Sequence, residues 1–161
     1  MTVTIRAARD PDEHQLIALI SGVFNEYPGC VTDVDGEMPE LRRIATYFAE
    51  HDGEFWVAQA ADRVVGCIGY SPAAEPSGIE LKKLYVDKVA RVGGLGSRLL
   101  EHVERAAAAR NSRFIDLWSD TRFHTAHAFY TKRGYEKTGA SRELFDKSDT
   151  VEFYFRKTLA P

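Results

Sequence analysis

Between Arg91 and Ser97 the chain reads Arg-Val-Gly-Gly-Leu-Gly-Ser, and an apolar-periodic run follows to Arg110. A glycine-rich loop that opens directly onto a helix is a place to hold phosphate. Glycine lets a ligand approach the backbone, the first-turn N–H groups have no intrahelical acceptor, and the helix dipole favours negative charge there. What is missing narrows the kind of phosphate. A P-loop needs Gly-x-x-x-x-Gly-Lys-Ser/Thr, and no such string occurs. A dinucleotide fingerprint needs Gly-x-Gly-x-x-Gly, but Gly94-Leu95-Gly96 runs on as Ser97-Arg98-Leu99. His124 and His127 stand three apart, a spacing that can bind metal, but no Glu or Cys completes the set and no metal is expected. His14, His51 and His102 read as surface residues. Cys30 and Cys67 have no metal spacing, and Cys30 has no adjacent base that would make it a nucleophile.

The elements around the loop follow from periodicity. Val3 and Ile5 alternate with polar residues in a short first strand. Asp10-Pro11-Asp12-Glu13 starts a helix with Asp10 as N-cap, and Leu16, Ile17, Leu19, Ile20, Val23 and Phe24 form its apolar face. Tyr27-Pro28-Gly29 ends it, and a second helix is predicted from Met38 to Glu50. Phe55–Ala58 and Val64–Tyr70 flank Ala61-Asp62-Arg63 as a hairpin, and a third strand runs from Ile79 to Val86. The glycine loop follows, then a helix over Ser97–Arg110, a buried strand over Phe114–Trp118, and a helix over Thr125–Arg133 closed by Gly134. Phe153 and Phe155 mark the last strand. The order β-α-α-β-β-β-α-β-α-β-β is a mixed α/β sheet, mostly antiparallel, flanked by helices, with one crossover through the glycine loop.

The 161 residues carry a formal charge of −3, with 44% hydrophobic and 28% charged residues. One domain over 1–161 with a real core is expected, with no linker or repeat to divide it. No apolar run approaches a membrane span and no signal-like h-region is visible, so the expectation is a cytoplasmic protein with no membrane partner. A sequence pI of about 6.0 without a basic-aromatic stripe argues against nucleic acid. The charge is uneven. Asp10–Asp62 holds 12 acidic and 2 basic residues, whereas Arg63–Pro161 holds 17 basic and 12 acidic. Such asymmetry fits either two surfaces with different partners or solvated faces that interleave in space.

Arg91-x-x-Gly94-x-Gly96 resembles the signature of the GCN5-related N-acetyltransferase (GNAT) family, Arg/Gln-x-x-Gly-x-Gly/Ala after a strand. Leu84-Tyr85-Val86 resembles the family's strand residues before that loop. Downstream, Ala126-His127-Ala128-Phe129-Tyr130-Thr131-Lys132-Arg133-Gly134-Tyr135 is similar to its A-x-x-F-Y-x-x-x-G-F/Y motif. The order of elements also agrees, so the resemblance spans nearly the whole chain. It implies the GNAT fold and acetyl-CoA as cosubstrate, with the pyrophosphate on Arg91, Val92, Gly93, Gly94, Leu95, Gly96 and Ser97. It also implies a splay in the strand before the loop, where the Leu84 N–H faces the acetyl carbonyl and Val86, beside Tyr85, pairs with pantetheine. One departure stands out: Phe123 occupies the position where many members carry a cofactor-contacting Asn.

The resemblance also assigns the candidate catalytic groups. Glu80 lies where some members carry a base, and Tyr130 matches the motif tyrosine that protonates the leaving thiolate. Each has a plainer reading. Glu80 can be a rim carboxylate paired with Lys82 or Lys83, and Tyr130 a packing tyrosine with its hydroxyl held by backbone. In an even strand Glu80, Lys82, Leu84 and Val86 share one face unless a bulge changes the phase. Cys30 follows the turn that borders the family's acceptor site and reads as pocket lining. Asp116 to Phe123 contributes an indole, two carboxylates and a guanidinium to the neighbouring pocket. The acidic half borders that acceptor site, so the expected partner is a small cationic amine. The expected activity is acetyl transfer to a primary amine in a ternary complex; the alternative is a non-catalytic acyl-CoA-binding module. A homodimer is compatible with the sequence.

Overall fold

The computed structural model describes residues 2–91 and 93–160. Seven strands form one sheet: β1 (Val3–Ala7), β2 (Glu54–Ala60), β3 (Arg63–Pro72), β4 (Gly78–Val86), β5 (Phe114–Asp120), β6 (Glu136–Glu143) and β7 (Val151–Thr158). Their spatial order is β1-β2-β3-β4-β5-β7-β6. Every neighbouring pair is antiparallel except β4 and β5, which are parallel and joined by a crossover through α4 (Leu95–Ala109). The mixed, mostly antiparallel sheet expected from the sequence is the one observed.

Helices cover both faces. The α4 side buries Leu95, Leu99, Leu100, Val103 and Ala107 against Val65, Ile68, Ile79, Leu81 and Leu117. The other side is covered by α1 (Glu13–Phe24) and α3 (Ile44–Glu50), whose Leu16, Ile20, Ile44 and Phe48 pack on Phe55, Val57 and Cys67. The central strand β3 is buried on both faces from Val64 to Ser71, as a strand sandwiched between helix layers must be. α5 (His124–Lys132) closes at Gly134, which adopts φ +88 as the expected left-handed cap.

The acidic N-terminal half folds differently in detail from its reading. Residues Asp10–Asp12 form a 3₁₀ turn before α1, and Asp10 caps a different element, accepting from the Thr46 N–H and hydroxyl in α3. The helix predicted over Met38–Glu50 is broken. Pro39–Arg43 is a 3₁₀ turn, and Arg43 leaves the helical region at φ −148 before α3 begins. A short helix, α2 (Val34–Glu37), was invisible in the periodicity because its Val-Asp-Gly-Glu sequence has no apolar repeat; Asp33 caps it by accepting the Gly36 N–H. Helix α4 begins at Leu95 rather than Ser97.

Two irregularities in β4 shape the site. Its pairing with β5 stops after Gly78↔Phe114, Ile79↔Ile115 and Glu80↔Asp116, although both strands continue. The strands therefore splay, and β5 carries on paired with β7 instead. Against β3, the register jumps between Gly69↔Lys82 and Cys67↔Tyr85, so two residues of β4 oppose one of β3. Lys83 takes φ +56 at this bulge, a conformation that costs a non-glycine residue about 1 kcal/mol or more.

Candidate active site

The bulge overturns the even-strand face assignment. Leu84 and Val86 pack with Ile79 and Leu81 toward α4, while Tyr85 turns toward the α1 and α3 side. Glu80 and Lys82 precede the phase change and so lie on the opposite face from Leu84 and Val86. The backbone follows the same logic. The Asp87 N–H bonds the Val65 carbonyl of β3 at 2.8 Å, so strand alternation turns the Val86 and Leu84 N–H groups the other way, into the gap that β5 has left. The Val86 carbonyl is taken by the Arg91 Nε, which donates to it at 3.1 Å.

Two cavities meet at this gap. A trough of about 330 Å³ runs along Leu84, Tyr85 and Val86 past Arg91, Gly94, Gly96 and Ser97, with Phe129 and Arg133 on its far wall. A bay of about 460 Å³ lies beyond, toward Glu80, Lys82, Trp118 and the loops of residues 25–38 and 144–150. Leu84, Tyr85, Phe123, Ala126 and Tyr130 line both. Phe123, where an Asn was expected, fills the junction with its ring, 4.8 Å from Tyr27 and 6.3 Å from Phe24 between centroids.

The trough fits a bound phosphate chain. Gly94 caps α4 at φ +76, and a side chain placed there would project into open space rather than into protein. The same holds for Gly93 at φ +99. The loop thus presents backbone to a cleft, with the first-turn N–H groups of Leu95, Gly96 and Ser97 behind it. Leu95 contributes only backbone, because its side chain is buried in the core. Val92 lies outside the described residues. Arg91 is held by Glu26, which accepts two hydrogen bonds from the guanidinium at 2.7 Å each. Arg133 adds a second cation; it donates to the Ser97 hydroxyl and lies 4.0 Å over the Phe129 ring. The motif string included Arg133 but gave no reason to single it out.

The bay is built from side chains. Six carboxylates line it, Glu37, Glu40, Glu80, Asp120, Asp146 and Glu152, against the cations Lys82, Lys83 and Arg142. Only Glu37 and Glu40 come from the acidic half of the sequence; the other four lie in the basic half. Several are paired: Lys83 with Glu40 at 2.8 Å, Arg142 with Glu152 at 2.7 Å, and Asp120 with Arg122 at 2.8 Å. Arg142 also lies 4.2 Å over Trp118. The sequence held no signal for Arg142 or Glu152, which face the bay only through the pairing of β6 with β7. The two flanking loops clasp each other, since the Ser148 hydroxyl accepts from the Val31 N–H and donates to its carbonyl, and Glu37 accepts the Lys147 N–H. Cys30 lines the bay as expected, and burial raises its thiol pKa.

Glu80 faces the bay with no ion pair or hydrogen bond among the described residues; Lys83, one suggested partner, is committed to Glu40. Burial pushes its carboxyl above the usual range, and Asp116 and Glu152 push the same way against Lys82 and Arg142. Tyr130 is 5% exposed and borders both cavities, and its hydroxyl has no hydrogen-bond partner among the described residues. Burial holds that hydroxyl well above its ordinary pKa, so it stays a donor at working pH. The turn behind it is fixed by the Tyr135 N–H, which bonds the Tyr130 carbonyl at 3.0 Å. His127 Nε2 donates to the Asp120 carbonyl oxygen at 3.0 Å, and His124 stands beside it with ring centroids 6.1 Å apart. Among the described residues no group of three His, Cys, Asp or Glu side chains is placed to hold a metal.

Residues 11–135 match the family model described as the acetyltransferase (GNAT) family. The chain belongs to the GNAT family. Among its relatives, Probable N-acetyltransferase 14 of Xenopus tropicalis is 29% identical over 122 residues, covering 75% of this chain and 58% of that one. The IAA acetyltransferase of Azospirillum brasilense is 34% identical over 91 residues, covering 56% of this chain and 60% of that one. The chain thus spans less than two thirds of the length of these relatives. A GNAT-family acetyltransferase structure from Staphylococcus aureus Mu50 superposes with a TM-score of 0.83 at 25% identity, covering 99% of this chain and all of that one. The PaiA N-acetyltransferase of Thermoplasma acidophilum, in complex with coenzyme A, shares the fold at a TM-score of 0.75 and 19% identity, again over 99% and 100% of the two chains. Among the described residues of this GNAT chain, no helix is long and apolar enough to cross a membrane.

Proposed function

We propose that the chain transfers an acetyl group from acetyl-CoA to the primary amine of a small cationic acceptor, directly and in a ternary complex. The observation that carries this reading is the meeting of trough and bay at Leu84, Tyr85, Phe123, Ala126 and Tyr130. A donor in one and an acceptor in the other touch without an intervening protein group. Neither cysteine suits a covalent relay. Cys67 is fully buried, its thiol pushed up to about 12, and Cys30 has its thiolate disfavoured by burial. The surplus of carboxylates in the bay favours a cation.

Acetyl-CoA, when bound, supplies the acetyl group as a thioester. The α4 N-terminus, with Arg91 and Arg133, holds its phosphates. The Leu84 N–H, turned into the gap between β4 and β5, is the donor for charge developing on the acetyl oxygen. An aliphatic ammonium has a pKa near ~10.4, so at neutral pH fewer than about one molecule in a thousand is nucleophilic. Glu80 removes that proton, directly or through water, and its raised proton affinity makes it a better base than an exposed glutamate. Tyr130 donates to the departing sulfur.

The test is release of free thiol from acetyl-CoA in the presence of a library of primary amines, with mass spectrometry of the protein alongside. Amine-dependent thiol release with no acetylated enzyme is expected. Tight binding of acetyl-CoA with no thiol release for any amine would make the chain a binding module instead.

A further inference from the structure

Glu80 has a neighbour that the reaction as described leaves without a role. Glu80 and Asp116 are in register in the one parallel contact of the sheet, so their side chains leave the same face of strands about 4.8 Å apart. Asp116 is 7% exposed. Its Oδ2 accepts the Tyr154 hydroxyl at 2.6 Å, while its Oδ1 is buried without a partner among the described residues. A buried carboxylate oxygen with no donor is costly, and a proton on or near it relieves that cost. Tyr154 cannot supply a second one, since its single hydroxyl hydrogen is already committed to Oδ2.

We propose that Glu80 and Asp116 titrate as a coupled carboxylate pair, the charge on one opposing ionisation of the other, with Asp116 a positioning residue that sets how firmly Glu80 holds the proton taken from the acceptor. This rests on the reading of Glu80 as the base. In the step, an N–H bond of the acceptor ammonium breaks and its electron pair stays on nitrogen. An O–H bond forms on Glu80, directly or through one water, and the pair returns the proton to solvent after turnover. The surrounding charges divide. Around Glu80, Lys82 on its own strand and Arg142 on β6 favour the ionised form, and Asp116 on β5 and Glu152 on β7 oppose it. Around Asp116, Tyr154 and Arg156 on β7 favour the anion and Glu75 opposes it. For both groups burial is the largest influence and raises proton affinity, and the Asp116 charge adds to that effect at Glu80.

The test pairs the pH profile of kcat/KM with a ¹³C-carboxyl NMR titration of Glu80 without acceptor. Asp116→Asn removes the charge and keeps a carbonyl oxygen for Tyr154. The acid limb should move to lower pH, leaving activity there, relative to its own plateau, roughly three- to tenfold above the parent. The Glu80 titration midpoint should fall in step. Tyr154→Phe is the second variant. It removes the donor that favours the Asp116 anion, so Asp116 is protonated more readily, its charge is lost, and the Glu80 midpoint falls again. A Glu80 midpoint unmoved in whichever of these variants fold, while Glu80→Gln still lowers activity, overturns the pair and leaves the base in place. Wild-type activity and profile in Glu80→Gln remove the base reading itself.

Discussion

The trough and the bay share five lining residues and are otherwise made in opposite ways. The trough is backbone and short runs of sequence: Leu84–Val86, the glycine loop, and the helix turn that carries Tyr130 and Arg133. The bay is side chains from segments as far apart as Glu37 and Glu152, closed by contacts such as Ser148 with Val31. A backbone site tolerates variation in most side chains but almost none in conformation. A side-chain site is the reverse. On the proposed function, this contrast lets one fold keep a common donor while its acceptor pocket is free to differ.

The residue common to both regions should give the largest effect. Tyr130→Phe keeps the ring and removes the hydroxyl that lies between trough and bay. A fall in kcat of roughly 10²-fold or more is expected, with affinity for coenzyme A and the acceptor KM little changed. Wild-type turnover in this variant would return Tyr130 to a packing role and separate the two cavities chemically.

Next comes the bay alone. Glu80→Gln should lower kcat/KM by roughly 10- to 100-fold near neutral pH, and the loss should shrink as pH rises and the amine deprotonates unaided. Parallel pH profiles for variant and parent would make Glu80 a bystander. The same substitution should stabilise the fold. A carboxyl whose folded pKa is raised contributes stability below its unfolded pKa and loses that contribution as pH climbs through the folded value. At neutral pH the buried Glu80 charge opposes folding, so its neutral isostere should raise Tm, a gain measurable by calorimetry that vanishes in acid. A lower Tm at neutral pH would mean that the carboxylate holds the bay together rather than working in it.

The trough responds to conformation. Gly94 adopts φ +76 with open space at its Cβ position, so Gly94→Val suffers from backbone strain and from a side chain projecting into the cleft, not from a clash with protein. A β-branched residue in the left-handed region costs about 1–2 kcal/mol, which predicts coenzyme A binding weaker by about tenfold or more in a folded protein. The acceptor KM should hold. Unchanged coenzyme A affinity by calorimetric titration would sink the phosphate cradle.

What the sequence made legible follows the same division. The loop, the strand before it and the tyrosine helix are contiguous strings, so Arg91, Gly94, Gly96, Ser97 and Tyr130, which line the trough, could be named as neighbours of one cleft without a structure. The strand order was legible because periodicity changes from helical to alternating along the chain. The bay was legible only in part: Glu80, Cys30, Trp118 and Asp120 could be named, but their partners could not, because those arise from register. Asp116 meets Glu80 through a three-residue parallel contact, and Arg142 reaches Trp118 through an edge hairpin. The charge asymmetry pointed to a pocket rich in carboxylates but to the wrong ones. Much of the acidic half is spent on ion pairs elsewhere, such as Asp12 with Arg6 and Asp52 with Arg110, while four of the six acids in the bay come from the basic half. The bulge at Lys83 left no mark in the sequence, since lysine is an unusual occupant of a left-handed position.

The smallest effect tests where the two regions are tied together. Glu26, just beyond the end of α1, holds Arg91 of the glycine loop by two hydrogen bonds, and so links the segment that leads into the bay to the motif that lines the trough. The pair is partly exposed, with side chains 32% and 23% accessible, so its own worth is at most about 1 kcal/mol. Glu26 also places a negative charge at the trough, where phosphates are to bind. Two roles for Arg91 then predict opposite signs. If Arg91 serves the phosphates, Glu26→Gln releases it and removes a repulsive charge, and coenzyme A should bind about two- to fivefold more tightly, with a steeper loss of affinity as salt is raised. If Arg91 serves as a staple between α1 and the loop, the same variant loosens the loop and binding weakens by a similar factor. The Arg91 Nε bond to the Val86 carbonyl survives in either case and keeps the guanidinium beside the cleft. With the side chain so placed and a phosphate able to accept the same bidentate pair of hydrogen bonds that Glu26 now takes, tighter binding is the expected result. Calorimetric titration of both forms with coenzyme A at two salt concentrations reads the sign directly, and weaker binding at both would assign Arg91 to the scaffold.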